Sequence, residues 1–231
     1  MNSASRSSFN GISSIRPKDQ HPAPLQVSQL GHNLAYDEVW QQMRNLAHAR
    51  DAQTPDEFWF LEHAPVFTLG QVGRVEHVLD AGDIPVVHSD RGGQVTYHGP
   101  GQQIVYVLLN LHRLGFGIRS LVQRLEQAVI DVLALYQIDA CARPSAPGVY
   151  VGEAKIASLG LRVHRGFTYH GLAFNVDMDL EPFTRIHPCG YPGLVVTQLK
   201  EFAGPIEMAK VRAQLEMNLR RNLGYEELAA E

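Results

Sequence analysis

Three strand-like runs, Gly148–Val151, Lys155–His164 and Phe167–Val176, follow one another with no helix between them, and Arg165-Gly166 makes a hairpin turn of the last two. Ahead of them Ile118, Leu121, Val122, Leu125, Val129, Val132, Leu133 and Tyr136 form one apolar stripe, which predicts a helix over 118–136. Leu34, Val39, Trp40, Met43, Leu46 and Ala47 predict another over 34–50. A third spans 205–222, with Pro205 near its start and Gly224 just past its end. Phe58–Leu61 and Pro65–Gly70 predict two strands around a turn, and Val86–His88 and Gln94–Tyr97 are strand-like as well. The continuous apolar run Ile104–Leu109 predicts a strand buried on both faces. Strands that run consecutively between widely spaced helices exclude regular βαβα alternation. They give an α+β fold, a mixed, largely antiparallel sheet packed with helices.

No internal repeat or second linker interrupts the 231 residues, so one catalytic-sized domain is expected over 26–231, starting near Leu25. Residues 1–25, rich in Ser, Asn and Pro and without an apolar run, read as a short disordered tail rather than a secretory segment. A net charge of −4 gives no global attraction to nucleic acid or to an anionic membrane. No apolar stretch approaches the roughly 20 residues needed to span a bilayer. Two cysteines, Cys141 and Cys189, make no disulfide framework and suit a reducing cytoplasm. His63, His98, His170 and His187 are scattered singly, so no metal is assigned.

Chemistry concentrates in glycine-rich segments. Cys189, between Pro188, Gly190 and Pro192, belongs on a turn and not inside a helix or central strand. Lys155 lies in a second such segment, Gly148 to Gly160. A thiol attacks as thiolate, and a nearby ammonium favours that form, so the two together suggest covalent acyl chemistry. Arg91 to Gln102 holds two glycines before a strand and a Gly-Pro-Gly turn after it. That segment is either a ligand-cradling loop, with Arg91 adding positive charge at its mouth, or a plain hairpin with tight ends. It lacks the spacing of a P-loop, and no GxGxxG opens a helix. The small residues of Ser158-Leu159-Gly160 and Gly171-Leu172-Ala173 either leave a trough for an extended apolar chain or let sheet and helix pack closely. Cys141, flanked by alanines, is expected to be a buried inert thiol. A basic patch at the pocket mouth is expected from Arg74, Arg91, Arg162, Arg165 and Arg185.

RGGQVTYHGPGQ, GEAKIASLGLRV, YHGLAFNVDMDL and HPCGYPG, in this order, resemble the lipoyl(octanoyl) transferase family, whose members are similar to the catalytic domains of biotin and lipoate protein ligases. The resemblance runs from about Leu34 to about Gly224. It implies transfer of an octanoyl group from octanoyl-acyl carrier protein to a lysine of a lipoyl domain, in the cytoplasm, without ATP or metal. By motif match Cys189 would be the acyl-thioester nucleophile and Lys155 the residue that favours its thiolate. Arg91, Gly92, Gly93, Gln94, Val95, Thr96, Tyr97 and His98, with Ser158, Leu159, Gly160, Gly171, Leu172 and Ala173, would bind the acyl substrate.

Two other readings compete. An ATP-dependent lipoate or biotin ligase needs a basic glycine-rich loop, and Arg91 is the only Lys or Arg between His77 and His112. A non-catalytic acyl-binding module has no use for both Lys155 and Cys189.

Overall fold

The computed structural model describes residues 24–225. The tail expected over 1–25 therefore lies, to residue 23, outside the described residues, and Leu25 itself opens the first strand.

Among the described residues ten strands form two sheets. The larger takes the order β1 (Leu25–Leu34), β2 (Asp56–His63), β6 (Gln102–Leu108), β10 (Phe167–Asn175), β9 (Ala154–His164), β8 (Val149–Val151) and β7 (Cys141–Ala142). The smaller places β3 (Val66–Leu69) between β4 (Val86–His88) and β5 (Val95–His98). Pairing is antiparallel except between β1 and β2 and between β3 and β4, so the mixed, largely antiparallel α+β expectation agrees with the architecture.

Helix α1 (Tyr36–Ala49) covers one face of the large sheet, burying Val39, Met43 and Ala47 against Trp59, Leu61, Tyr106 and Tyr169. Helix α3 (Ile118–Leu135) and helix α5 (Met208–Leu223) cover the other with Leu121, Leu125, Val129, Val132, Leu215 and Leu219. Single-turn helices α2 (Leu111–Leu114) and α4 (Lys200–Ala203) link elements at the margins. All of β6 is buried, because helices lie on both sides of it.

Several sequence expectations shift. Strand β1 was not anticipated; it pairs parallel to β2 through α1, making one β–α–β unit at the start of the chain. β2 and β3 do not pair around their turn but enter different sheets. Pro65 between them has no N–H to give a ladder, and the Ala64 amide is taken by Leu34 O at 3.0 Å. Likewise the Gly-Pro-Gly turn closes no hairpin, since β5 pairs with β3 and β6 with β2 and β10. Helix α5 starts at Met208, so Pro205 precedes it, whereas Gly224 caps its end at φ 79° as expected. Arg165 and Gly166, both at positive φ, do form the β9–β10 turn.

Candidate active site

Lys155 and Cys189, 34 residues apart in sequence, meet because the segment after the cysteine joins the edge of β9. Lys155 N–H donates to Val195 O at 2.9 Å, and Thr197 N–H donates to Lys155 O at 3.0 Å. From there the chain runs back to the Pro188–Gly190 turn, where Cys189 takes left-handed backbone at φ 56°, ψ 16°. A non-glycine residue held in that region signals a turn fixed by its surroundings. Gly190 N–H closes it on His187 O at 2.8 Å, and His187 N–H is tied to His77 O at 2.8 Å. Lys155 Nζ then lies 3.1 Å from Cys189 Sγ, with only 4% of the lysine exposed. An ammonium at hydrogen-bond distance stabilises a thiolate by charge and by its N–H.

Beside this pair opens a cavity of about 330 Å³. Its floor is β9 and β10, its roof the loop 91–94. Gly160 permits the roof, because an added Cβ there would stand 2.9 Å from Gly92 O. Gly171 lines the trough expected of it and has a second purpose as well. Its missing Cβ would strike Val105 O at 1.9 Å, so the glycine lets β10 lie close on β6.

The roof is held by Arg91. Its guanidinium donates to Thr68 O at 2.6 Å, Thr68 Oγ1 at 2.8 and 3.1 Å, Gln94 O at 2.7 Å and Gly92 O at 2.9 Å. Being 8% exposed, it is an internal strut and not the free charge at the mouth that the sequence suggested. Arg185 of the expected basic patch is also engaged, in an ion pair with Glu181 at 2.7 Å.

Histidines and tyrosines close the cavity away from Cys189. His98 Nδ1–H donates to Gln102 Oε1 at 2.7 Å, and its Nε2 accepts from Thr68 Oγ1 at 3.3 Å. His63 Nε2 accepts from the Tyr106 hydroxyl at 2.7 Å. Burial, with His63 and Arg91 nearby, pushes His98 well below the ordinary imidazole range. Burial also lowers His63, to about 4. Both rings are therefore neutral at neutral pH; His98 lines the cavity, and His63 stands behind the Tyr106 hydroxyl that it holds. His170 is a bracket: its Nε2–H donates to Asp90 Oδ1 at 2.9 Å, and Trp40 and Tyr169 donate to the same carboxylate at 2.8 and 2.5 Å. Asp90 thereby pins α1 and β10 to the residue preceding the roof.

Every residue proposed from sequence lines the cavity except Tyr97. Side chains alternate along β5, so Tyr97 points the other way, packing between Phe67 and Phe183. Tyr36, Ile104, Tyr106, Leu161 and Tyr191 also line the cavity and were missed. The run Ile104–Leu109 signalled burial on both faces, and one of those faces is the cavity's. Cys141, expected to be buried, is exposed. It sits on β7 at the open edge of the sheet, where no layer covers it.

The mixed sheet that carries this cavity, its buried amine and its half-buried thiol has the fold of lipoate protein ligases. A putative lipoate protein ligase from T. acidophilum superposes with a TM-score of 0.73 at 16% identity, over 86% of this chain and 85% of that one. The chain belongs to the lipoyl protein ligase A/B catalytic domain family, whose model matches residues 32–220. An octanoyltransferase of Azotobacter vinelandii is 59% identical over 206 residues, 89% of this chain and 94% of that protein. One of Pseudomonas fluorescens is 57% identical over 206 residues, 89% of this chain and 95% of that protein. The activity of this chain is accordingly octanoyl transfer, and it is an acyltransferase. Among the described residues no helix is long and apolar enough to cross a membrane.

Proposed function

We propose that this enzyme moves an octanoyl group from octanoyl-acyl carrier protein to a lysine of a lipoyl domain through a thioester on Cys189, as a cytoplasmic step of protein lipoylation that uses neither ATP nor metal. The observation that carries the reading is the 3.1 Å contact of Lys155 Nζ with Cys189 Sγ beside the cavity. In the first half the thiolate attacks the donor thioester. The new C–S bond forms, the old one breaks, and the departing donor thiolate takes a proton from Lys155. In the second half the acceptor amine attacks, Cys189 leaves as thiolate, and Lys155 takes the amine's proton, restoring the starting pair. Thioester exchange is nearly level and amide formation downhill, so the sequence closes without a nucleotide. Exposed Tyr191 and Val195, 56% and 59% accessible beside the Cys189 turn and Lys155, offer apolar contact to protein substrates.

The engagement of Arg91 with loop carbonyls weighs against the nucleotide-dependent ligase reading, since it leaves that loop without a free cation for a triphosphate. The test is octanoyl-carrier supplied without acceptor. An octanoyl adduct on Cys189, seen by intact mass and released by hydroxylamine, is expected. Cys189→Ala should lose adduct and transfer together. Lys155→Ala should acylate slowly near neutral pH and be rescued by raised pH more than the parent. Transfer that proceeds with no adduct on Cys189 would mean direct attack in a ternary complex and would end the covalent reading.

A further inference from the structure

Glu126 is a carboxylate that the chemistry above does not use, on the α3 face that packs on the sheet, and it is only 5% exposed. Its Oε1 accepts from the Gly148 amide at 2.8 Å. Gly148 stands against the catalytic lysine: a Cβ built there would lie 2.4 Å from Lys155 Cε and 3.1 Å from Nζ. Burial raises Glu126 above the ordinary carboxylate range, while the Gly148 N–H and the Lys155 charge act in the opposite direction.

We propose that Glu126 is a positioning residue that holds the Gly148 turn against Lys155 and sets, by its charge, how readily Lys155 gives up and regains its proton. The inference rests on the reading of Cys189 as the acyl carrier.

The charged and titratable groups facing Lys155 come from several elements. Cys189 approaches from its turn, and the Tyr150 ring of β8 lies 5.3 Å from Nζ. Arg143 stacks on that same ring at 4.3 Å and pairs with Glu153. Arg91 of the roof feels the charge on Cys189. When Cys189 is acylated its sulfur becomes neutral, so Lys155, having given up its proton, no longer faces the thiolate that would favour taking one back. Glu126 is then the buried anion coupled to it. A fixed negative charge makes Lys155 a stronger base in the second half-reaction and a more reluctant proton donor in the first.

Glu126→Gln removes the charge but keeps an oxygen for the Gly148 amide. Pre-acylated enzyme mixed with lipoyl domain should then show the midpoint of its rate–pH profile displaced downward by about one unit, the scale of one charge felt through a partly screened interior. The plateau at high pH should fall, because the base is weaker. Glu126→Asp, which keeps the charge, should leave the midpoint where the parent has it. A merely structural role would depress the plateau in both variants without moving either midpoint, and that result overturns the proposal. A second measurement needs no variant: the side-chain carboxyl resonance of isotopically labelled Glu126 should move when Cys189 is acylated, and a resonance indifferent to acylation overturns it too. If neither parent nor variant forms an adduct, the covalent reading itself has failed and the proposal falls with it. An adduct in both with an unmoved midpoint removes the role of Glu126 alone.

Discussion

Gly148 and Lys155 share one space: where any other residue would carry its Cβ, the lysine side chain passes, 2.4 Å from the position that carbon would take. Gly148 also adopts φ +139°, a conformation costly for any L side chain. Gly148→Ala should therefore leave the protein folded but push Lys155 off Cys189. A misplacement near 1 Å costs on the order of 100-fold in rate, so acylation of Cys189 should slow by about that factor. Stopped-flow acylation beside a thermal melt checks it. A folded variant acylating at the parental rate would show that the lysine finds its place without the glycine.

Much of this arrangement was legible in the sequence, for identifiable reasons. Helix α3 and the β9–β10 hairpin were visible because their signals, a stripe at helical spacing and a two-residue turn, are local. The grouping of the glycine-rich segments round Lys155 and Cys189 came from the motif resemblance. What escaped depends on contacts between distant segments. Strand β1 has too few apolar residues to announce itself and exists through pairing with β2. The fate of Arg91 was hidden because its acceptors on Thr68 lie 23 residues away. Glu126 had a faint signal, standing four residues after Val122 on the stripe it interrupts, but a single carboxylate there reads as solvent-facing. Tyr97 and Cys141 were misjudged because neighbouring residues fix neither which face a side chain takes nor whether a layer covers the strand.

Cys141 should be dispensable, for a reason opposite to burial. At an exposed sheet edge its thiol fills no cavity, so Cys141→Ala should alter stability by no more than about 0.5 kcal/mol and leave transfer at the parental rate. Thiol-reactive reagents should modify both cysteines in the free enzyme, and octanoylation should protect Cys189 only. Loss of transfer in folded Cys141→Ala would require a second working thiol.

The roof over the cavity depends on Thr68 Oγ1, which accepts twice from Arg91 and donates to His98. Thr68→Val keeps the shape and deletes this acceptor, leaving a buried guanidinium short of partners. The cost should be about 1–3 kcal/mol in urea unfolding. The 91–94 loop should loosen over β9, raising the octanoyl-carrier concentration needed for half-maximal acylation. Unchanged stability would mean that the backbone carbonyls alone satisfy Arg91.

Acid should weaken the fold before it reaches the carboxylates. His63 is fully buried, its Nδ1 contacting Leu34 O at 3.1 Å while Nε2 accepts from Tyr106. Burial lowers it from 6.5 to about 4. Between those values the unfolded chain holds a proton that the folded chain refuses, so protons favour unfolding. Stability from this group is complete above about 6.5 and declines as the pH falls toward 4, by about 3 kcal/mol at roughly 1.4 kcal/mol per unit. His98, also depressed by burial, adds to the same slope. Urea midpoints at pH 7.0, 6.0 and 5.0, chosen to bracket about half of the window, should fall steadily in the parent. His63→Gln should start less stable at neutral pH, having disturbed the Tyr106 contact, yet fall less steeply. Equal slopes in parent and variant would mean that His63 takes up its proton in the folded state as easily as in the unfolded one.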